Sequence, residues 1–145
     1  GYLGEIISEK ASNIMPHILN VALKKRTHFD VYGNDYDTRD GTAIRDYIHI
    51  MDLVDGHIAA LLNLYKQNGH NVFNLGTGKG VSVLELIGQK IPYQFVGKRK
   101  GDLSKSYADP TKAEKEFKWK AKKGLIEMCD DAFRWVNNCQ FEKNN

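Results

Sequence analysis

Helix and strand patterns alternate along this chain, and this alternation limits its fold more than any other feature. Short apolar stretches such as residues 29–32 and 93–96 are typical of strands, and the stretches between them carry apolar residues at helical spacing. Such alternation indicates an α/β or α+β module. Because no internal repeat, low-complexity segment or linker interrupts the 145 residues, we expect one domain over residues 1–145.

Several residues suited to helix ends mark where the helices begin. Asn13 and Asp52 are suitable N-caps, and Ser82 with Glu85 forms a capping-box pattern. Pro110 suits the first position of a charged helix. The helix after Asp52 has an apolar stripe of the kind that faces a core, made of Val54, Ile58, Leu61, Leu62 and Tyr65. A last helix is expected over about 125–138, and strands over 29–32, 71–75 and 93–96.

Composition excludes several classes of protein. The net charge of +3 is too small to indicate nucleic-acid binding, and no apolar run approaches the roughly 20 residues of a membrane helix. No stretch has the charged and apolar parts of a signal peptide. Two cysteines, Cys129 and Cys139, do not make a disulfide framework or a zinc site, so we expect reduced thiols and a cytoplasmic protein without a metal.

A glycine-rich loop, Gly76–Gly80, lies between an expected strand and an expected helix. This is the context of a dinucleotide-binding loop, in which glycines let a phosphate approach a helix N-terminus. The spacing is G-x-G-x-G, however, whereas the dinucleotide pattern is G-x-G-x-x-G, and no acidic residue follows about 20 positions later at the end of a second expected strand. We therefore predict a tight structural turn here.

Residues suited to a nucleoside diphosphate occur in two separate parts of the chain. Tyr32 offers a flat face for a base, and Arg45 offers a guanidinium that can bind phosphate oxygens bidentately. The run 98–102 adds further cations and Asp102, which can accept from a ribose hydroxyl. Two other interpretations stay open, namely a solvated basic turn at 98–100 and a structural ion pair between Arg45 and Asp46.

Longer stretches resemble a known family. The string G-N-D-Y-D-T-x-D-G-T-x-x-R-D-Y-I-H-x-x-D-L over 33–53 is similar to UDP-glucose 4-epimerase, as are F-N-L-G-T-G-x-G-x-S-V-L over 73–84, R-x-G-D over 99–102 and Y-A-D-P over 107–110. A looser form of the first pattern occurs across the sugar-nucleotide branch of the extended short-chain dehydrogenase/reductases. The match runs in order along almost the whole chain.

The resemblance implies a homodimeric enzyme that holds NAD in a Rossmann domain and a UDP-sugar in a smaller C-terminal domain. Hydride leaves the sugar C4 for NAD and returns to the other face, with the Tyr and Lys of a Y-x-x-x-K motif as base and support. This chain contains neither Y-x-x-x-K nor G-x-x-G-x-x-G. We therefore expect an α/β (α+β) C-terminal substrate domain without its Rossmann half, without catalytic or NAD-binding residues, and inactive by itself.

The resemblance also assigns site residues. Asn13 and Ile14 match positions that meet the UDP, and residues 30–32 match the strand that holds the uracil. The diphosphate, ribose and hexose contacts complete the set, which is Asn13, Ile14, Asp30, Val31, Tyr32, Arg45, Arg99, Asp102 and Ser106. Ser106 stands beside the hexose, where a small side chain leaves room for a 2-acetamido group. Acceptance of UDP-GlcNAc and UDP-GalNAc is therefore expected as well.

One departure and two alternatives accompany this assignment. The segment 84–90 is about seven residues shorter than in the family, which is roughly two helical turns. We therefore expect the helix at Ser82 to be truncated. A non-catalytic or vestigial nucleotide-sugar-binding module is the alternative function. Within the enzyme class, another sugar-nucleotide dehydratase or decarboxylase is the alternative.

Overall fold

A computed structural model describes residues 4–5, 11–66 and 68–138. Within these residues five helices and five short strands follow one another in mixed order, with a 3-10 turn at Leu64–Lys66. In chain order they are α1 (Ile14–Ala22), β1 (Phe29–Tyr32), β2 (Ile44–Arg45), α2 (Ile50–Leu62), β3 (Val81–Ser82), α3 (Val83–Ile87), β4 (Tyr93–Val96), β5 (Lys105–Ser106), α4 (Thr111–Phe117) and α5 (Leu125–Asn138). The mixed α/β class expected from the sequence is confirmed.

The strands form two small sheets. Parallel strands β1 and β4 pair from Phe29 opposite Tyr93 to Tyr32 opposite Val96. In the second sheet β2 is central, with β3 antiparallel on one side and β5 parallel on the other. The parallel pairings join chain segments that are far apart in sequence.

One apolar core lies between the first sheet and three helices. Its buried members come from α1, β1 and α3, and they are Ile18, Val21, Phe29, Val31, Leu86 and Ile87. Leu125 and Cys129 of α5 pack against this cluster. Burying side chains of this size contributes about 1.5–3 kcal/mol each. The cluster therefore fixes β1, whose other face supplies part of the site described below.

A second core joins α2 to α4 and to the segment that follows α4. Ala113, Phe117 and Trp119 are its buried residues. The indole Nε1 of Trp119 donates to the carbonyl of Asp52 (3.0 Å), and the Asp52 carboxylate accepts from the backbone amides of residues 122 and 123 (2.9 and 2.8 Å). A methyl group at Gly56 would lie 2.8 Å from the Leu75 side chain, so α2 approaches its neighbours closely there.

Several predicted elements are confirmed. The bounds of α5 match the expected 125–138, and strands occur at 29–32 and 93–96. Both halves of the capping box are present, since the Ser82 hydroxyl accepts from the Glu85 amide and the Glu85 carboxylate accepts from the Ser82 amide. Helix α3 has only five residues, as the short segment 84–90 implied.

The predicted caps were wrong in detail. Asn13 occupies the N-cap of α1, but its side chain makes no capping hydrogen bond. Helix α2 starts two residues earlier than Asp52, and the His49 Nδ1 accepts from the Met51 amide. Helix α4 begins at Thr111, so Pro110 is its N-cap and not its first residue.

Two further predictions fail around α2. The stripe made of Val54, Ile58, Leu61, Leu62 and Tyr65 is solvent-exposed, with Tyr65 exposed to 97%. The core side of α2 carries the small residues Gly56, Ala59 and Ala60. Residues 71–75 form no strand, because no other described strand pairs with them. The stripe lacks neighbours that would bury it, whereas Phe73 and Leu75 pack against the second core without forming a strand.

The described part of the chain contains no membrane-spanning helix and no cluster of metal-binding side chains. None of its helices is long and apolar enough to cross a bilayer. In the same residues no group of three or more His, Cys, Asp or Glu side chains is placed to hold a metal ion. Cys129 is a free, half-buried thiol, and burial raises its pKa. Cys139 lies outside the described residues.

Candidate functional site

A pocket of about 390 Å³ opens where α1, β1, β2 and the loop between β4 and β5 meet. It brings together seven of the nine predicted site residues, which are Asn13, Ile14, Asp30, Tyr32, Arg45, Arg99 and Asp102. Val31 is not among the lining residues because alternate strand residues face opposite sides, and its side chain lies in the core. Ser106 does not line the pocket either, although β5 places it directly beside Arg45.

Arg45 is held by backbone and side-chain acceptors. Its Nη1 donates to the carbonyls of Ile44 and Leu103, both at 2.8 Å. Its Nη2 reaches a carboxylate oxygen of Asp102 at 3.4 Å. The ion-pair partner of Arg45 is therefore Asp102 on the facing loop and not the adjacent Asp46. These contacts orient one guanidinium of the pocket.

Arg99 occupies a different environment on the same wall. Its guanidinium carbon lies 3.7 Å from the centre of the Tyr32 ring. The preceding Lys98 lies 4.5 Å from the centre of the Tyr36 ring and forms an ion pair with Asp35 (2.9 Å). The hydrogen bond from Lys98 lowers the pKa of Asp35. Lys98 and Arg99 thus contact the end of β1 and the turn that follows it, while their side chains stay exposed.

The carboxylate of Asp30 on β1 also lines the pocket. It accepts from Gln94 Nε2 (2.8 Å) and from Arg26 Nη2 (3.3 Å). Arg26 also donates to His17 Nδ1 at 3.5 Å, and His17 Nε2 donates to the Ala11 carbonyl at 2.8 Å. Contacts on both ring nitrogens therefore place the hydrogen of His17 on Nε2.

Sequence reasoning missed seven residues of the pocket. They are Ser12, His17, Arg26, Phe29, Ala43, Tyr47 and Val83. Helical spacing could have found His17, which stands one turn after Asn13 on α1. Arg26 lies in the connection to β1, where no periodicity indicates the direction of a side chain. Burial raises the pKa of Tyr47.

The glycine-rich loop binds an internal carboxylate. Asp46 accepts from the Thr77 amide (3.0 Å), the Thr77 hydroxyl (2.6 Å), the Gly78 amide (3.1 Å) and the Ala108 amide (3.3 Å). A methyl group at Gly76 would lie 2.5 Å from a carboxylate oxygen of Asp46. The amides that a dinucleotide phosphate would need are therefore occupied, and this loop does not fit NAD. The structure agrees with a tight structural turn.

A second polar cluster supports the pocket from behind. Asp40 accepts from the amide and hydroxyl of Thr42 (2.9 and 2.7 Å) and from the hydroxyl of Ser82. Partial burial opposes ionisation of Asp40, but these hydrogen bonds outweigh it and lower its pKa. Arg39 binds Glu85 with two nitrogens and lowers the pKa of that carboxyl. The cluster ties the loop before β2 to α3.

Comparison with known proteins places the chain in a family. The family model described as GDP-mannose 4,6 dehydratase matches residues 5–132. The chain belongs to this family. It is 51% identical over 147 residues to "UDP-glucose 4-epimerase 1" of Oryza sativa subsp. japonica, covering 94% of this chain and 42% of the relative. It is 47% identical to the human UDP-glucose 4-epimerase, covering 93% of this chain and 41% of the relative.

Solved structures give the same result. The UDP-glucose 4-epimerase of Stenotrophomonas maltophila, with bound NAD and formylated UDP-arabinopyranose, matches with a TM-score of 0.87 and 42% identity. The match covers 93% of this chain and 42% of that one. The epimerase of Bifidobacterium longum, in complex with NAD+ and UDP, matches with a TM-score of 0.82 and 42% identity, covering 88% and 40%. The resemblance to UDP-glucose 4-epimerase is confirmed, and this family member spans less than half the length of those relatives.

Proposed function

We propose that this chain is the UDP-sugar-binding part of a longer UDP-glucose 4-epimerase. The observation that carries the proposal is the single pocket into which the fold brings Tyr32, Arg45, Arg99 and Asp102. The whole protein would interconvert UDP-glucose and UDP-galactose by hydride transfer from the sugar C4 to NAD and back. The described residues hold the substrate and supply no site for that cofactor.

The charges and shapes in the pocket suit a nucleoside diphosphate. A guanidinium binds phosphate oxygens with two parallel hydrogen bonds, and Arg45 and Arg99 approach the pocket from facing segments. Tyr32 offers a flat ring for the base, and the Asp102 carboxylate can accept from a ribose hydroxyl. The acceptors already bound to Arg45 hold its planar group in place, which reduces the entropy lost when phosphate binds.

Titration with UDP tests this proposal. We expect UDP and UDP-glucose to bind the chain, and Arg45→Ala to weaken UDP binding roughly ten- to a hundredfold, since hydrogen bonds to charged groups contribute about 1.5–3 kcal/mol. Isothermal titration calorimetry measures both constants. Lys90→Ala, which removes one exposed positive charge elsewhere, is the matched control and should leave binding unchanged. Equal affinity in the wild type and Arg45→Ala would falsify the proposal.

The domain assignment rests on the surfaces left uncovered. The apolar stripe on α2 is exposed, with Leu62 at 71%, and so is Val72 at 67%, whereas Phe73 and Leu75 pack against the second core. Contiguous apolar surface of this kind marks an interaction site. We infer that the Rossmann half of the longer protein covers it, so that residues 1–145 form a C-terminal domain.

That protein would be a cytoplasmic homodimer. Light scattering would check its oligomeric state, and cell fractionation would check its location.

Ser106 bears on which sugars the longer enzyme accepts. Its side chain is small and exposed on β5, next to the candidate diphosphate-binding Arg45. In the full-length enzyme we expect activity on UDP-GlcNAc as well as UDP-glucose. Ser106→Tyr should reduce the first activity at least tenfold relative to the second, because the ring would fill the space of the 2-acetamido group. An unchanged ratio of the two kcat/KM values would count against this role.

A further inference from the structure

Arg99 covers one face of the Tyr32 ring within the pocket. The distance of 3.7 Å from its guanidinium carbon to the ring centre is that of a direct cation–π contact. The neighbouring Lys98 is fixed by Asp35 and by the ring of Tyr36, so the backbone that carries Arg99 is anchored. A base that stacks on the covered face of Tyr32 must take the place of the guanidinium.

The two arginines of the pocket differ in how firmly they are held. Arg45 donates three hydrogen bonds to Ile44, Leu103 and Asp102. Within the part of the chain that the structure describes, the Arg99 side chain makes no hydrogen bond or ion pair and lies against the Tyr32 ring, whereas its backbone carbonyl accepts from the Asp102 amide (3.2 Å). A cation–π contact at a partly exposed site is weak compared with a charge-assisted hydrogen bond to phosphate. Arg99 can therefore move from the ring to an anion at small cost.

We propose that Arg99 couples the binding of the base to the binding of the phosphates. Its guanidinium either covers Tyr32 or binds the diphosphate. A ligand that carries phosphate draws Arg99 away and uncovers the ring for its own base. A nucleoside without phosphate must displace Arg99 and gives it no anion in return. The pocket thereby selects nucleotides over nucleosides. This inference rests on the proposed function and extends it to the order in which parts of the ligand are recognised.

Opposite effects on two ligands test the proposal. UDP and uridine are titrated against the full chain, as wild type and as Arg99→Gln, with UDP followed by calorimetry and uridine by ligand-observed NMR. We expect Arg99→Gln to weaken UDP roughly tenfold or more and to strengthen uridine about two- to fivefold. Lys90→Gln removes the same charge from an exposed turn and should change neither constant. Circular dichroism confirms that the variants fold alike.

A second variant isolates the ring. In Tyr32→Leu the face that Arg99 covers is gone, so adding Arg99→Gln should no longer strengthen uridine. The proposal is overturned when Arg99→Gln weakens both ligands alike, which would mean that the base stacks on the guanidinium itself. It is also overturned when uridine binds Arg99→Gln no better than it binds the wild type. Absence of UDP binding to the wild type would instead refute the proposed function, whatever uridine does.

Discussion

Replacement of Trp119 by alanine should lower the free energy of unfolding by about 3–5 kcal/mol. This is a large part of the roughly 5–15 kcal/mol that stabilises a typical domain. Trp119 is 6% exposed and fills the second core, where it lies against Gly56 of α2. Its indole also donates the buried hydrogen bond to the Asp52 carbonyl, which would lose its partner. Urea unfolding followed by circular dichroism measures the loss.

Trp135→Ala is the matched control for this experiment. Trp135 is only partly buried on α5, and its Nε1 donates to the Glu5 carbonyl at 2.9 Å. Its replacement should cost clearly less than that of Trp119. Trp119→Phe should fall between them, because it keeps most of the apolar volume and loses the hydrogen bond, at about 1–3 kcal/mol. If Trp119→Ala and Trp135→Ala lowered the free energy of unfolding equally, packing in the second core would not be what makes Trp119 important.

Incubation of the chain with NAD and UDP-galactose should yield no UDP-glucose. The sequence contains no Y-x-x-x-K motif to transfer the proton, and its glycine-rich loop is occupied by Asp46. The amides of that loop are therefore not free to bind the phosphates of a dinucleotide that would accept the hydride. Chromatographic separation of the two UDP-sugars after long incubation measures the product, with a full-length epimerase from a relative as the positive control.

The control for contamination is the Arg45→Ala chain purified in the same way. Product that forms with the wild type and disappears with Arg45→Ala would mean that the chain is itself catalytic, and the prediction would be wrong. Product that forms equally with both proteins would come from a contaminating enzyme. UDP binding without turnover is the expected result, and it is what a separate substrate domain would show.

Structural features that depend only on residues close together in the sequence could be predicted. The capping box at Ser82 and Glu85 needs only a spacing of three residues, and it is present. The apolar periodicity of α5 gave both of its ends. The spacing of the glycines indicated that the loop 76–80 is structural, and the Asp46 hydrogen bonds explain why.

Elements that depend on distant partners were not predictable. Strands β2, β3 and β5 have two residues each and exist only because they pair with one another. Periodicity identified an apolar stripe on the helix after Asp52, but it cannot say whether anything in the same chain covers that stripe. Residues 71–75 have the composition of a strand, and composition does not supply the neighbour that a strand needs.

The pocket likewise combines features that the sequence could predict with contacts that it could not. The residues alone suggested an aromatic ring, two arginines and an acid, and the family resemblance assigned their positions. Neither could show that Arg99 lies on Tyr32 or that Arg45 pairs with Asp102, since each pair joins segments that are distant in the sequence. Arg26 reaches the site from the connection between α1 and β1, whose direction only the packed structure reveals.

The order of the strands along the chain also determines when the two sheets can fold during synthesis. Strand β1 pairs with β4, and β2 pairs with β5, so neither parallel pairing can form until the later strand has been made. Because contacts between distant segments are entropically costly to close, such a chain folds more slowly than a helical bundle of equal length. Arg99 and Asp102 lie between β4 and β5. The nascent chain therefore gains its pocket only after most of it has left the ribosome.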